Sequence, residues 1–489
     1  MIPGIGTGTL DLTALRWEGF VATIAFEDLD FTGAALVMQV RPYRDAPSAV
    51  LTLQNSVAPA QGLSVSVATV AGRVTSTVTI RINERTLEDL LPFPDSGVKV
   101  GQSVALCWDM HVTKAPAYPK HRWLQGSFII EPGATQNIIP SNTFTSGLTL
   151  GAFQNAIAAL QASSPSGKVT VAILGDSYAE QTKIWDAFRQ LYADDGLTIA
   201  GDGWINVRGI TEPTGVTVTR PGFTLWDASD NTAATYKAGI DGHYIVRSGT
   251  GGSFKVEGTI ATRLKLFYDR GQTGKFQWRV DGGAWTTVTP TGSPGTTFVD
   301  IGPLPLAAHT LEVDTSVSTG GNVVLLGVYS TRDGPGIEFL KAGNSSLQAS
   351  DLIKYADPAG DCMSLLAPKL IIIILGTNDY QRPDSPPSTF ASEIATFVGT
   401  LRNLNSGASY LFILPPDTNG TPVNPLSAYD TAMDTTVASI GIEKFSWLRL
   451  WDTWAVENDA GNFTDFEHPN AKGALDGIGK LKTYLLDAR

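Results

Sequence analysis

The sequence predicts a multidomain chain in which an α/β domain is split by an inserted β-sandwich and preceded by an all-β domain. Three observations carry this. Short alternating segments punctuated by Gly, Pro, Asn and Asp fill residues 1–132. A strand–turn–helix rhythm begins near residue 150. It stops near residue 211 and resumes near 330 with near-continuous apolar runs, as expected of parallel strands covered on both faces. A length of 489 residues corresponds to about three domains.

In the first region the alternating segments are Phe20–Ala25, Ala35–Val40, Val50–Leu53, Val65–Val70, Val74–Ile82, Val104–Met110 and Gly126–Ile130, with a short helix expected at Thr86–Leu91. Residues 133–149 are crowded with Gly, Ser, Thr and Pro and read as a linker. Residues 150–210 form the first α/β piece. Phe153, Ile157 and Leu160 place a helix over Leu150–Ala162, followed by a strand at Lys168–Leu174 and a helix over Ile184–Tyr192.

Residues 211–329 form the insert, jelly-roll-like in expectation. Phe276–Val280 and Ala284–Val288 flank Asp281-Gly282-Gly283, a hairpin signal because Gly accepts positive φ. Thr310–Val313 and Asn322–Tyr329 close it. Residues 330–489 return to α/β order: strand Ile371–Leu375, helix Thr389–Asn403, strand Tyr410–Leu414, helix Ala428–Ser439, strand Phe445–Leu450, and a last helix from about Asn470 to Leu486.

Composition excludes several classes of function. Lys+Arg 35 against Asp+Glu 47 gives a net charge of −12, and such a surface repels phosphate backbones, so no nucleic-acid partner is expected. The longest strongly apolar run, Leu370–Leu375, is far too short for a membrane span, so no membrane partner is expected either. Met1–Gly6 has neither a basic stretch nor an apolar one, and predicts no secretory leader. Cys107 and Cys362 are no disulfide framework, although a single bridge stays open. Gly4-Ile5-Gly6-Thr7-Gly8 follows no strand, no Walker A sequence is present, and no His/Cys/Asp cluster has metal spacing. No cofactor and no metal are therefore expected.

Four blocks bring together the residue types that acyl transfer needs. They are Gly175-Asp176-Ser177, Lys341-Ala342-Gly343-Asn344-Ser345, Gly376-Thr377-Asn378-Asp379 and Asp465-Phe466-Glu467-His468-Pro469. Most fall at a strand's carboxyl end or at a helix start, where an open parallel sheet forms its ligand crevice. A hydroxyl nucleophile (Ser177) needs a base, and His468 is the candidate. The imidazole needs an orienting acceptor, and Asp465 lies three residues earlier. A developing oxyanion needs fixed donors: the N–H groups of Ser177 and Gly343 and the Asn378 amide. Each block alone has a plainer meaning, a turn or a helix cap. Gly101-Gln102-Ser103, similar in form to the first block, reads as an ordinary turn. The other histidines, His111, His121, His243 and His309, lie in or beside β segments and read as surface or core residues. Position 179 is Ala, so the Gly-x-Ser-x-Gly elbow is absent.

In these four blocks the sequence resembles the SGNH (GDSL-type) hydrolases. The resemblance covers about 150–210 and 330–489 and implies a three-layer, five-stranded flavodoxin-like domain. It implies Ser177 as nucleophile, Asp465 and His468 as its partners, and Ser177, Gly343 and Asn378 as oxyanion donors, with Asp176 and Asp379 in support. A β-sandwich between the Ser and Gly blocks resembles the arrangement in bacterial carbohydrate O-acetylesterases, including peptidoglycan-directed ones. That likeness rests on Gln277–Val280, the hairpin and Leu304–Val313.

The implied function is a serine esterase that deacetylates a bacterial surface polysaccharide. The insert's aromatics Trp204, Trp226, Tyr244, Trp278 and Trp285 either offer faces to sugar rings or fill its core. The N-terminal region, chiefly Phe20–Asp30 and Val37–Tyr43, resembles attachment domains of phage tail and baseplate proteins. This implies a virion location at the host cell surface, other tail proteins as partners and, by analogy, a homo-oligomer, although no coiled-coil heptad appears. The rival readings are a lipase or thioesterase on the same fold, and a non-catalytic glycan-binding tail protein. A glycosidase would need a paired-carboxylate signal, and none stands out.

Overall fold

Five apolar segments of the α/β part pair side by side, all parallel: β1 (Lys168–Gly175), β2 (Gly336–Gly343), β3 (Leu370–Ile374), β4 (Ser409–Leu414) and β5 (Glu443–Ser446), in the order β2-β1-β3-β4-β5. This is the doubly wound, flavodoxin-like order, whose strand sequence reverses between β1 and β3. The computed structural model describes residues 7–15, 19–58, 60–70, 72–83, 86–87, 103–114, 118–131, 143–230 and 232–487. The chain divides into two units, residues 1–138 and 139–489.

In the first unit Val104–Lys114 and Tyr118–Glu131 sit at the centre of a six-stranded sheet with Ala35–Arg41 and Leu51–Gln54. Gly8–Thr9 and Leu12–Leu15 run parallel to Tyr118–Glu131. These two strands were too short to show alternation in the sequence. A second sheet pairs Phe20–Glu27, Arg73–Ile82 and Gly62–Val70. Period-two alternation turns Leu36, Met38 and Val40 inward, where they share one core with Val78, Ile80 and Ile82 of the other sheet. Of the expected helix Thr86–Leu91 only Thr86 and Leu87 are described, both helical; residues 88–91 and Gly101-Gln102 lie outside the described residues.

The second unit opens with α1 (Gly151–Gln161), then β1, the single-turn α2 (Ser177–Glu180) and α3 (Thr182–Asp194). After the insert come β2, α4 (Ala349–Leu366), β3, α5 (Pro387–Leu404), β4, α6 (Leu426–Ile440), β5 and α7 (Ala471–Asp487). The sequence did not disclose β2 or α4, for local reasons. Glu338 and Lys341 interrupt the apolar pattern of β2, yet both are buried with partners. Glu338 faces Lys168 at 3.2 Å, and Lys341 Nζ donates to the Glu180 carbonyl at 2.9 Å. Helix α4 carries an internal Pro358, normally a helix breaker.

Three expectations need correction. Residues 445–450 are not one strand: β5 ends at Ser446, whose hydroxyl accepts the Arg449 N–H and caps a one-turn helix, Trp447–Leu450. Residues 143–149 of the expected linker are docked on the sheet edge. Phe144 stacks on Phe445 and Tyr484 at 4.9 and 4.3 Å, and Glu443 accepts N–H bonds from Gly147 and Thr149. The insert's sheet begins before residue 211, because Gly203–Ile205 pairs with Asn322–Thr331.

Around that long strand lie Thr224–Asp227, His243–Ser248, Arg263–Asp269 and Thr296–Ile301. A second sheet contains Thr217–Thr219, Ser253–Ala261, Ala307–Asp314, Phe276–Val280 and Thr286–Val288. Phe254, Val256, Leu311 and Val313 from the second share one core with Leu264, Leu266 and Val328 from the first. The hairpin strand starts at Thr286 rather than Ala284, and Asp281 and Gly282 take the positive φ of its turn, 50° and 70°. Trp204, Trp226 and Tyr244 are buried, so these three fill a core; Trp285 is exposed.

Candidate active site

The crevice lies where β1 and β3 diverge, and the first and third blocks end those two strands. Gly175 has φ 137°, and a Cβ there would lie 1.8 Å from the Ile374 carbonyl oxygen, so only glycine lets β1 close against β3. The next residue turns the chain: the Asp176 carboxylate accepts the Tyr178 N–H at 3.0 Å and caps α2. Ser177 is thus the first residue of a helix, where an N–H has no intrahelical acceptor.

Ser177 Oγ lies 2.7 Å from His468 Nε2. Behind the ring, His468 Nδ1 is 3.0 and 3.1 Å from the two Asp465 carboxylate oxygens. The carboxylate assigns the ring proton to Nδ1 and leaves the Nε2 lone pair facing the hydroxyl. Burial works to raise the Asp465 carboxyl. The N–H groups of Glu467 and His468, which donate to Oδ1 at 2.8 and 2.7 Å, outweigh it and hold the group below its ordinary value. This loop is fixed from below, since Tyr178 donates its hydroxyl to the Glu467 carbonyl and Gln381 Nε2 donates to Glu467 Oε1 at 2.7 Å.

Asn378 lies in the loop after β3, and Gly343 ends β2. Asn378 is half-buried, and its Nδ2 donates to the Leu347 carbonyl at 3.1 Å, which orients the amide. Gly343 is enclosed opposite Gly175 in the register, and a Cβ would lie 2.0 Å from the Glu180 nitrogen. The close approach of α2 therefore demands glycine at 343 for packing.

Asp176 and Asp379 are both buried acids. Burial raises the Asp176 carboxyl to about 8 and the Asp379 carboxyl to about 7. Asp379 accepts the Ala349 N–H at 3.0 Å and the Ser385 hydroxyl at 2.6 Å, so it ties the start of α4 to the loop after β3.

Sequence reading missed a buried polar network behind α2. Glu180 accepts Arg208 Nη1 at 3.0 Å and the Ser345 N–H at 2.9 Å. Asp227 Oδ1 accepts the Asn344 amide at 2.9 Å, and its Oδ2 lies 3.2 Å from His243 Nε2. His243 Nδ1 in turn lies 3.1 Å from Asp241. Burial works to lower the His243 imidazole; the Asp241 and Asp227 carboxylates override it and raise it to about 9. The alternation Asp241-Gly242-His243 was the one signal available for it. Among the described residues no group of His, Cys, Asp and Glu could hold a metal ion, no helix is long and apolar enough to cross a membrane, and both cysteines are free thiols.

With this geometry in hand, the fold can be placed. No family model matches the chain, and no curated protein matches it significantly. Solved structures do match. A peptidoglycan O-acetylesterase aligns over 71% of this chain and 100% of its own, with 16% identity and a TM-score of 0.57. A family two carbohydrate esterase from Cellvibrio japonicus covers 56% of this chain and 99% of its own at 14% identity, with a TM-score of 0.24. A GDSL-like lipase from Parabacteroides merdae covers 32% and 74% at 13% identity, with a TM-score of 0.25. The likeness to the first is one of fold. The chain shares the fold of that O-acetylesterase.

Proposed function

We propose that the protein is a serine esterase that removes O-acetyl groups from a bacterial surface polysaccharide. The observation that carries the proposal is the Ser177 Oγ to His468 Nε2 contact of 2.7 Å, backed by Asp465. Ser177 attacks the acetyl carbonyl while His468 Nε2 takes the hydroxyl proton. The tetrahedral oxyanion is met by the Ser177 N–H at the start of α2 and by the Asn378 amide, each worth about 2.7–4 kcal/mol in the transition state. The Gly343 N–H, at the end of β2 opposite Gly175, is the third donor of this proposal. His468 then protonates the departing sugar oxygen, leaving an acetyl-enzyme. A water deprotonated by His468 attacks that ester, acetate leaves, and the proton returns to Ser177.

The acetyl-sugar assignment draws on the peptidoglycan O-acetylesterase whose fold this chain shares. Delivery on a phage tail belongs to the same proposal. It rests on the strand rhythm of the N-terminal region, and detecting the chain in purified particles tests it.

The test of the chemistry is hydrolysis of p-nitrophenyl acetate, butyrate and octanoate by the wild type and Ser177→Ala. Acetate-selective activity that disappears in Ser177→Ala is the expected result. Activity rising toward octanoate replaces the deacetylase with a lipase. Equal rates from both proteins remove the enzyme reading and leave a glycan-binding protein.

A further inference from the structure

The first unit carries a cleft of about 760 Å³ on the outward face of its six-stranded sheet, and the reaction above makes no use of it. The floor is polar by strand alternation. With the even-numbered residues of Ala35–Arg41 and Val104–Lys114 turned into the core, the odd-numbered ones face out. The register sets Gln39, Asp109 and Gln125 in one row across three strands, and His111 beside Arg122 in the next. Gln39, Asp109, His111 and Gln125 are only half-exposed, as the floor of a concavity would be. His111 Nε2 is 3.5 Å from Asp109, while its Nδ1 is buried without a hydrogen-bond partner.

Four cations line the cleft, Arg41, Arg44, Lys120 and Arg122, against two carboxylates, Asp45 and Asp109. Arg41 is held in place by Gln39 Oε1, which accepts from its Nη2 at 2.8 Å. An excess of positive charge gathered in one concavity of a chain with net charge −12 is a local departure from the surface as a whole. No long aliphatic or aromatic side chain is exposed in the lining, which argues against a lipid or an apolar peptide.

We propose that this cleft binds an acidic saccharide chain, with uronate carboxylates on the arginines and lysine and ring hydroxyls on the amides, Asp109 and His111. Amide and carboxylate side chains in adjacent strands stand about 4.8 Å apart, a spacing at which donors and acceptors can serve neighbouring hydroxyls. Planar guanidinium groups match carboxylates bidentately. The first unit thus holds the polymer, independently of any chemistry in the second.

The test uses the full-length protein with a size-defined oligogalacturonate and its methyl-esterified neutral twin, read by titration calorimetry. Wild type is expected to bind the acid form at least ten-fold more tightly than the neutral twin, and more weakly as salt rises. Lys120→Glu combined with Arg122→Glu is expected to lose at least ten-fold in affinity, and Gln125→Ala to lose several-fold without any change of charge. Both variants keep the wild-type rate on p-nitrophenyl acetate, so a failure here is distinguishable from failure of the esterase reading. No binding of oligogalacturonate at millimolar concentration overturns the proposal. So does equal affinity for the neutral twin, unchanged affinity in the charge-reversed variant, or tighter binding of an oligothymidylate than of the uronate.

Discussion

Of the three histidines of the second unit that face aspartates, His468 and His243 have opposite fates. His468 is 15% exposed, its Asp465 is 40% exposed, and its second ring nitrogen faces a serine hydroxyl. His243 is fully enclosed, with Asp227 on one nitrogen and Asp241 on the other. The residue types are the same. A ring with both nitrogens committed to carboxylates is a cation locked in a core, whereas a ring with one nitrogen committed can exchange a proton with a substrate. His309, between Asp281 at 2.7 Å and the Pro305 carbonyl at 2.8 Å, is committed on both sides as well. What separates a pair open to proton exchange from a structural one is thus the partner of the second nitrogen together with access to solvent.

Exchanging the two fates is the sharpest test of that contrast. His468→Ala is expected to lower kcat on p-nitrophenyl acetate by about a million-fold while leaving the thermal midpoint nearly unchanged. His243→Ala is expected to do the reverse, costing about 3–5 kcal/mol in a denaturant titration because it leaves buried charges without their partner. A large loss of activity at full stability in His243→Ala would break the comparison.

Asn378→Ala comes next, with kcat about 10²–10³-fold lower and KM little changed, if its amide meets the oxyanion. An unchanged kcat would remove it from the site.

The smallest effect is a pH slope. The His243 imidazole is raised from 6.5 to about 9, so its contribution to stability is complete below pH 6.5 and is lost as pH rises through about 9. Asp176, raised from 3.8 to about 8, acts in the same direction: its contribution is complete below 3.8 and is lost as pH rises through about 8. The thermal midpoint is therefore expected to fall between pH 6.5 and 9, less steeply in His243→Gln. A midpoint that rises over that interval would contradict both assignments.

How much of this was legible beforehand follows from the length scale of each signal. Ser177, Asn378, Asp465 and His468 stand in short blocks whose residue types state their chemistry, and three of them meet in the structure as a contiguous relay. The strands β1, β3 and β4 announce themselves because both faces are covered. Strand β2 did not, since Glu338 and Lys341 read as surface residues until their partners Lys168 and Glu180 are brought up from far along the chain. The docking of Phe144 was hidden in the same way, in a stretch whose local composition is that of a loop. Glu180 and Asn344 carry no local signature, for the Arg208, Ser345 and Asp227 that satisfy them lie far along the chain.

The aromatic residues that the insert buries have a consequence for how this protein can change over generations. Trp204, Trp226 and Tyr244 share a single apolar core with Leu340, Leu352, Tyr355 and Ile371 of the α/β sheet and its helices. A module joined only by two peptide connections can be exchanged between genes as a cassette. Here the seam is a packed interior, so a transplanted insert would arrive with the wrong shapes facing α4, and a chain lacking it would expose that surface to water. The two halves must therefore diverge in step, each substitution at the seam answered from the other side.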